Sequence, residues 1–176
     1  YSASSGYAFN PVTVSISGVG GVSIDDIAMR TISGIISGST QSIATYAFTS
    51  CYLLTSVSFP ECTYIGNYAF YRCGSLATAF FPNCSSIGSD AFYSCSALAE
   101  LSFPKCSNIG SYAFHFCSTL TSVSFPECTS IGSGAFDSCG ALAKLSFPKC
   151  SNISGYAFRS CRALADRKSG SAGMPR

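Results

Sequence analysis

Eleven cysteines are the residues of this chain most able to carry chemistry, and they lie at equal intervals. They occupy every eleventh position from Cys51 to Cys161. A zinc site uses cysteine pairs about two to four residues apart, so this spacing predicts no metal site. A buried free cysteine behaves as a small hydrophobic residue, and packing thiols in a core are the leading interpretation. Disulfides between some of the cysteines remain an open alternative, and a metal site a third.

His115 is the single histidine. A nucleophilic mechanism would pair it with Cys117 or Ser111 and an acid. His115 follows an Ala-Phe pair, however, and the same position elsewhere holds Tyr71, Tyr93, Asp137 and Arg159. A position that changes in this way is typical of exposed surface. No phosphate-binding loop, dinucleotide-binding glycine pattern or paired-carboxylate motif occurs. The sequence therefore predicts a protein that is not an enzyme and that binds no cofactor.

The elements that position these residues repeat every twenty-two residues. Ala-Phe pairs recur from 47–48 to 157–158 and Phe-Pro pairs from 59–60 to 147–148, without insertion or deletion. A fixed period of about 20 to 30 residues is typical of a solenoid of stacked coils. The chain is therefore expected to form one stacked-repeat body rather than a globular fold of unlike elements.

Each repeat predicts a strand, a corner and one short helical turn. Val57 and Phe59 alternate with serines, which is the pattern of a short strand. Pro60 ends that strand because it lacks an N–H group. Ile65 and Gly66 predict a turn. An apolar spacing of three to four residues then predicts a single helical or 3₁₀ turn, formed around Ala69, Phe70 and Cys73.

Stacked coils would place identical side chains above one another, at the spacing of about 4.8 Å between neighbouring strands. The expected interior columns are those that contain Leu54, Cys62, Ile65, Phe70 and Cys73. Burial of a leucine, isoleucine or phenylalanine contributes roughly 1.5–3 kcal/mol. Each coil contributes several such residues, so their burial on stacking offsets much of the conformational entropy that is lost when the coil becomes ordered.

This pattern resembles the BspA-like leucine-rich repeats of bacterial and protozoan surface proteins. The resemblance rests on the Ser-Phe-Pro strand end, Ile-Gly, Ala-Phe and Cys-x-x-Leu, as in residues 120–126 followed by 131–136, and it covers about residues 40–164. The common family unit is one residue longer, so this chain is similar to a shorter variant with a cysteine at the corner. The resemblance implies an α/β solenoid: a right-handed superhelix with a parallel β-sheet on one face and short helical or 3₁₀ turns on the other.

Three parts are expected along the chain. Residues 1–28 are predicted as an N-terminal cap or linker with a short strand, residues 29–165 as a solenoid of about six 22-residue coils, and residues 166–176 as a C-terminal tail. The first coil is degenerate. In it Ile32, Ile35 and Ile43 are expected to take the places of Leu54, Val57 and Ile65, while Thr40 replaces the corner cysteine.

Side chains that change from coil to coil define two candidate binding surfaces. The sheet face is mostly serine and threonine, apart from the bulky Phe80. The predicted helical face carries the aromatic and charged residues Tyr71, Arg72, Tyr93, His115, Phe116, Asp137 and Arg159. Exposed tyrosine, phenylalanine and arginine are common binding anchors, so this second face is preferred. The alternative is that these side chains only cover the core.

Composition narrows the function further. Charged residues make up 10% of the chain, and the net charge is +2 with basic residues spread out, which argues against nucleic-acid binding. No apolar run reaches the roughly 20 residues of a membrane span, so no membrane insertion is predicted. The resemblance implies a secreted or cell-surface bacterial module that binds a protein or glycan on host or neighbouring cells. The alternative is a structural spacer in a fibre, stalk or virion, and self-association stays open.

Overall fold

The computed structural model describes residues 12–16 and 34–165, and in this part of the chain the coils stack as parallel strands. Between successive coils the paired residues are twenty-two apart, as in Val57 with Ala79 and Ala79 with Leu101. The predicted repeat solenoid with a parallel sheet on one face is therefore confirmed.

The main sheet forms the face that the sequence assigns to strands. Five strands pair in the order β1-β2-β4-β6-β8, and two more, β10 and β12, pair with each other. Their bounds are Val12–Ile16 for β1, Gly34–Gly38 for β2, Leu54–Ser58 for β4, Thr78–Phe80 for β6, Glu100–Ser102 for β8, Ser122–Ser124 for β10 and Lys144–Ser146 for β12. β1 lies where the sequence predicts a short strand, and it forms one edge of the sheet.

A second parallel sheet runs along the corners of the coils. Its strands have two residues each: β3 Ser42–Ile43, β5 Tyr64–Ile65, β7 Ser86–Ile87, β9 Asn108–Ile109, β11 Ser130–Ile131 and β13 Asn152–Ile153. Ile65 therefore belongs to a strand rather than to the predicted turn. The next residue is Gly66, and a Cβ at this position would lie only 2.5 Å from the backbone nitrogen of Thr45 in the preceding coil. Glycine at this position lets neighbouring coils approach closely.

On the opposite face of the described coils, β-turns stand in place of the predicted helical or 3₁₀ turns. Residues 67–73 make consecutive β-turns, with the N–H of Tyr71 donating to Tyr68 O and that of Cys73 to Phe70 O. The intervening N–H of Phe70 donates to Ala91 O of the next coil at 2.7 Å. An N–H group that donates to the next coil cannot also donate to a carbonyl within a helix, so stacking prevents a regular helical ladder. α1, Arg162–Ala165, ends the described part, in which no helix is long and apolar enough to cross a membrane.

The core consists of columns that run the length of the solenoid. Leu54, Cys62, Ile65, Phe70 and Cys73 are fully buried. Two phenylalanine columns, from Phe48 to Phe158 and from Phe59 to Phe147, stack nearly face to face. In the first, ring centroids lie between 5.0 Å and 5.5 Å apart. Side chains twenty-two residues apart thus lie over each other.

Cysteines serve this core both as small apolar residues and as hydrogen-bond donors. The Cys73 thiol donates to Phe48 O in the preceding coil at 3.0 Å, and the corner thiol of Cys62 donates to Tyr64 O at 3.2 Å. Thr40, which is buried at the corner of the first coil, donates in the same way to Ser42 O at 2.9 Å. All eleven cysteines are free thiols. An alanine or valine would fill similar space but could not satisfy these carbonyls.

The first coil departs from the predicted register. A β-bulge between Gly34 and Ile35 pairs Ile35 with Ser56 and Ile36 with Val57. The expectation that Ile35 takes the place of Val57 is therefore wrong by one residue, because the bulge removes one residue from the twenty-two-residue step. Ile32 lies outside the described residues, and the division of the chain into three parts stays a prediction.

Candidate binding surface

Two columns of side chains lie next to each other on the face formed by residues 67–73 and their equivalents, which we name the turn face. The tyrosine column consists of the second residue after each Ile-Gly or equivalent pair: Tyr46, Tyr68, Asp90, Tyr112, Gly134 and Tyr156. The mixed column consists of the residue after each Ala-Phe pair: Thr49, Tyr71, Tyr93, His115, Asp137 and Arg159.

An unusual backbone conformation shapes the turn face. Tyr68 and its equivalents have positive φ in each described coil, as do Arg72 and its equivalents, including Phe116 with φ 57°. Residues with a Cβ avoid this left-handed region. Here it is held by hydrogen bonds to the next coil, from Tyr68 N to Ser89 O at 2.9 Å and from Arg72 N to Tyr93 O at 2.7 Å. Arg72 and Phe116 are exposed as a result of this placement.

In the N-terminal half of the turn face the two columns form aromatic stacks. Tyr46 and Tyr68 stack with ring centroids 4.9 Å apart, as do Tyr71 and Tyr93. The His115 ring packs against Tyr93 at a tilt, with ring centroids 4.8 Å apart. Stacked rings cover each other's faces, so Tyr71 and Tyr93 are half-buried rather than fully exposed. Tyr46 stands at one end of its stack and is 59% exposed.

In the C-terminal half a charged cluster replaces the rings. Asp137 is fully buried; it accepts hydrogen bonds from Arg159, whose Nε lies 2.9 Å from Oδ2, and from Ser138 Oγ at 3.1 Å from Oδ1. His115 Nδ1 lies 3.6 Å from Asp137 Oδ2 and has no hydrogen-bond partner. His115 and Asp137 were expected at the surface, and the structure corrects this. Arg159 and His115 cover Asp137 from the two neighbouring coils.

A glycine in the tyrosine column completes this cover. A Cβ at Gly134 would lie 2.4 Å from Tyr112 Cε1, so the missing side chain lets the Tyr112 ring extend over the next coil. The Tyr112 ring also packs edge-on against His115 at 5.6 Å. Sequence reasoning missed the roles of Tyr112 and Gly134. The signal available to it was the glycine in a column that elsewhere holds mostly tyrosine.

Comparison with known proteins agrees with this architecture. The BspA type leucine rich repeat region matches residues 35–165 in six copies. The chain belongs to the BspA-type leucine-rich-repeat family. Its fold is similar to that of a leucine-rich-repeat protein of T. pallidum, with 30% identity, a TM-score of 0.70, and 75% of this chain and 65% of that chain covered.

A second structure similar to this BspA-type chain is that of a leucine rich cell surface protein of Faecalibacterium prausnitzii A2-165. The identity is 27% and the TM-score 0.65, with 90% of this chain and 47% of that chain covered. The chain therefore spans less than two thirds of the length of either structure. No curated relative matches it. Leucine-rich-repeat families and their fold are in general not enzymatic.

The electrostatics of the charged cluster show how this BspA-type coil stack accommodates a buried carboxylate. Burial alone would raise the pKa of Asp137, but the hydrogen bonds from Arg159 and Ser138 hold it below its usual value. Burial lowers the pKa of His115, against the attraction of Asp137. At neutral pH the cluster therefore contains a neutral imidazole beside an ion pair, which is an arrangement suited to packing.

The structure places Cys117, one of the two candidate nucleophiles, away from His115. Cys117 is fully buried in the core and its thiol donates to Phe92 O at 3.3 Å. Burial raises the pKa of this thiol well above its ordinary value, which disfavours the reactive thiolate. Among residues 12–16 and 34–165 no three histidine, cysteine or acidic side chains converge on a point where they could hold a metal ion.

Proposed function

We propose that the chain is a non-catalytic binding or adhesion module that recognises a protein or a glycan through its turn face. The observation that carries the proposal is the row of exposed aromatic and cationic side chains along one rigid ladder. Tyr46, Tyr112, Phe116 and Tyr156 are each more than a third exposed, and Arg72 and Arg159 accompany them. Tyrosine, phenylalanine and arginine give large contact areas and directed hydrogen bonds, which makes them common anchors at interfaces.

The ladder provides these anchors in a fixed arrangement. Hydrogen bonds between successive coils hold the turn backbone, so a partner would meet side chains whose main chain is already ordered. Pre-organisation of this kind reduces the entropy cost of binding. The cell-surface relative in Faecalibacterium prausnitzii supports an extracellular location, on the cell surface or secreted, where the partner would be a protein or glycan of a host or neighbouring cell.

A structural role in a fibre or stalk is the second candidate. It is supported by the unbroken phenylalanine columns, in which rings of every neighbouring pair from Phe48 to Phe158 stack. Such a rod would act as a spacer with no ligand of its own. Ordered assembly would then appear as an increase in sedimentation coefficient with protein concentration, whereas a binding module would stay at constant size without its partner.

The test of the binding proposal is the double variant Arg72→Ser with Phe116→Ser. Serine already occupies the equivalent left-handed positions at Ser50, Ser94, Ser138 and Ser160, so the backbone is expected to be preserved. Both proteins would be applied to a glycan array and to a panel of purified extracellular-matrix proteins. Loss of two anchors of this kind typically costs more than 1 kcal/mol each, so binding should fall by about tenfold or more at an unchanged melting temperature.

The matched control is Tyr64→Ser on the corner sheet. It also removes an exposed aromatic side chain in favour of the serine found in the neighbouring coils, at Ser42 and Ser86, and it should leave binding to the same probe intact. The proposal is wrong if the turn-face double variant binds as well as the parent, or if the two variants lose binding equally. Tyr71 and Tyr93 are less suitable for this test because both are half-buried in a stack.

A further inference from the structure

The sheet face contains a pocket that lies apart from the turn face. It has a volume of about 190 Å³ and is lined by residues of two neighbouring strands, Thr78, Ala79, Phe80, Glu100, Leu101 and Ser102. Sites for drug-sized ligands measure roughly 300–1,000 Å³. The pocket is therefore of a size for one side chain of a larger partner rather than for a free small molecule.

One wall of the pocket is a phenylalanine that no packing requirement explains. Phe80 is 46% exposed, and the equivalent position in the other coils holds serine, at Ser58, Ser102, Ser124 and Ser146. Those coils pack their inward residues without a ring at this place. Phe80 thus leaves nearly half of its side chain open to solvent at the pocket.

The charge of the pocket comes from Glu100. It is exposed; its backbone N–H donates to Ala77 O, but its carboxylate makes no hydrogen bond or ion pair with the side chains in the described part of the chain. Its register partner on the preceding strand is Thr78, two residues from Phe80, and Phe80 and Glu100 line the same pocket. Among the residues that line the pocket, Glu100 is the one that carries a charge, and Lys144 lies two coils further along.

Main-chain groups next to the pocket are also left without partners. The main sheet is not paired between β8 and β10. Ala143 N donates a hydrogen bond to Thr121 O, but the equivalent bond one coil earlier, from Thr121 N to Ala99 O, is not formed. Instead, the Thr119 hydroxyl donates to Leu98 O at 3.0 Å and to Ser96 O at 2.8 Å. Ala99 is exposed, so its carbonyl can accept a hydrogen bond from a ligand.

We infer that this pocket binds an arginine side chain presented by a peptide or protein partner. A guanidinium group can stack on an aromatic ring and donate two parallel hydrogen bonds to a carboxylate. In this pocket Phe80 supplies the ring, and Glu100 on the neighbouring strand supplies the carboxylate. The N–H groups that remain can donate to the Ser102 hydroxyl and the Ala99 carbonyl. A lysine ammonium is a compact charge without the planar fork, and it matches this arrangement less well.

Titration with a short peptide tests the inference directly. The probe is acetyl-Gly-Gly-Arg-Gly-Gly-amide, and its control carries citrulline, which has nearly the same shape but no charge. Amide resonances of residues 78–80 and 100–102 should shift with the arginine peptide in ¹H–¹⁵N spectra. Citrulline lacks the positive charge that both the carboxylate and the aromatic ring attract, so the citrulline peptide should bind about fivefold more weakly. Equal binding of the two peptides, or shifts confined to other residues, would overturn the inference.

Variants separate the pocket from general attraction to acidic residues. Glu100→Gln and Phe80→Ser should each weaken binding of the arginine peptide by about threefold. Glu61→Gln removes the same charge from an exposed corner outside the pocket and should leave the affinity unchanged. If Glu61→Gln weakens binding as much as Glu100→Gln does, the pocket is not the site. Phe116→Ser should not alter peptide binding, so this result is independent of the turn-face proposal.

Discussion

The two faces of the solenoid come from the same twenty-two-residue repeat, yet they hold their variable side chains differently. On the sheet face the variable residues are mostly serine and threonine, with Phe80, Glu100 and Lys144 as exceptions, and the ladder of backbone hydrogen bonds is interrupted between β8 and β10. On the turn face they are mostly large, and backbone bonds join every described coil to the next. His115 and Asp137 vary from coil to coil, yet both are buried. Variation within a repeat therefore does not by itself identify a free surface.

The difference arises from side-chain length. A serine or threonine on the sheet face contacts the adjacent coil only through its hydroxyl, as Thr78 does when it donates to Ser56 Oγ. A tyrosine, histidine or arginine on the turn face is long enough to pack on its equivalent one coil away, as Tyr71 does on Tyr93 and Arg159 on Asp137. Large variable residues thus become part of the stack, and only their edges and the stack ends stay available to a partner.

The strongest contrast is between an interior ring and an exposed one. Phe92 is fully buried and stacks between Phe70 and Phe114, with ring centroids 5.0 Å and 5.2 Å away. Phe92→Ala should lower the free energy of unfolding by about 3–5 kcal/mol, since it leaves a cavity in a dense core. Phe80→Ala on the sheet face should change it by less than about 0.5 kcal/mol. Urea unfolding of both variants measures the difference, and similar losses would contradict the assignment of interior and surface.

Glycines give the next largest contrast. A Cβ at Gly110 would lie 2.6 Å from the backbone of Gly88, whereas one at Gly140 would meet nothing within 4 Å. Gly110→Ala forces two coils apart and should cost about 1–3 kcal/mol, while Gly140→Ala should stay within about 0.5 kcal/mol of the parent. Thermal unfolding compares the two. If Gly110→Ala is as stable as Gly140→Ala, the coils are not in close backbone contact at Ile-Gly.

The smallest expected effect concerns pH and the charged cluster on the turn face. The pKa of His115 is lower in the folded protein than its ordinary value of 6.5. As the pH falls below 6.5, His115 is therefore protonated more readily in the unfolded chain than in the folded protein. Stability should be complete above pH 6.5 and fall as the pH drops toward 5. Asp137 and Arg159 stay charged in this window, and Asp90, whose carboxyl pKa is raised by burial, is the other acid facing the imidazole.

Urea unfolding at pH 7.5 and pH 5 measures this effect. In His115→Gln the fall in stability between the two pH values should shrink, because the chain has no other histidine. An unchanged fall would show that other groups cause it, and a stability that rises on acidification would show that the Asp137 carboxylate outweighs the burial of the imidazole.

The sequence predicted the interior of the molecule but not its corners and turns. The columns containing Leu54 and Phe70 follow directly from the period, because residues of one type at one spacing can be buried only by stacking. The two-residue strand at Tyr64–Ile65 is too short to give a hydrophobic pattern. The left-handed turns at Tyr68 and Arg72 depend on hydrogen bonds to another coil, and neither residue type signals them.

The candidate surface was predictable only in outline. The turn face and its aromatic residues could be located from the variable positions after Ala-Phe. The burial of Asp137 could not, because it depends on Arg159 and His115, each twenty-two residues away, and on Tyr112 extending over Gly134. The interruption of the main sheet, which occurs where the Thr119 hydroxyl donates to carbonyls of the preceding coil, likewise has no signal in the repeat pattern.

Thiol reactivity is the most direct test of the central claim that every coil stacks on its neighbours. Each coil after the first has a cysteine on either side of the core. Ten of the eleven are buried and Cys150, in the last coil, is half-buried. Burial raises the pKa of Cys106 and Cys139 to about 12. With a chromogenic disulfide reagent the native protein should react quickly at Cys150 alone, and all eleven thiols should react after unfolding. Rapid reaction of many thiols in the native protein, or recovery of far fewer than eleven after unfolding, would contradict the stacked interior described above.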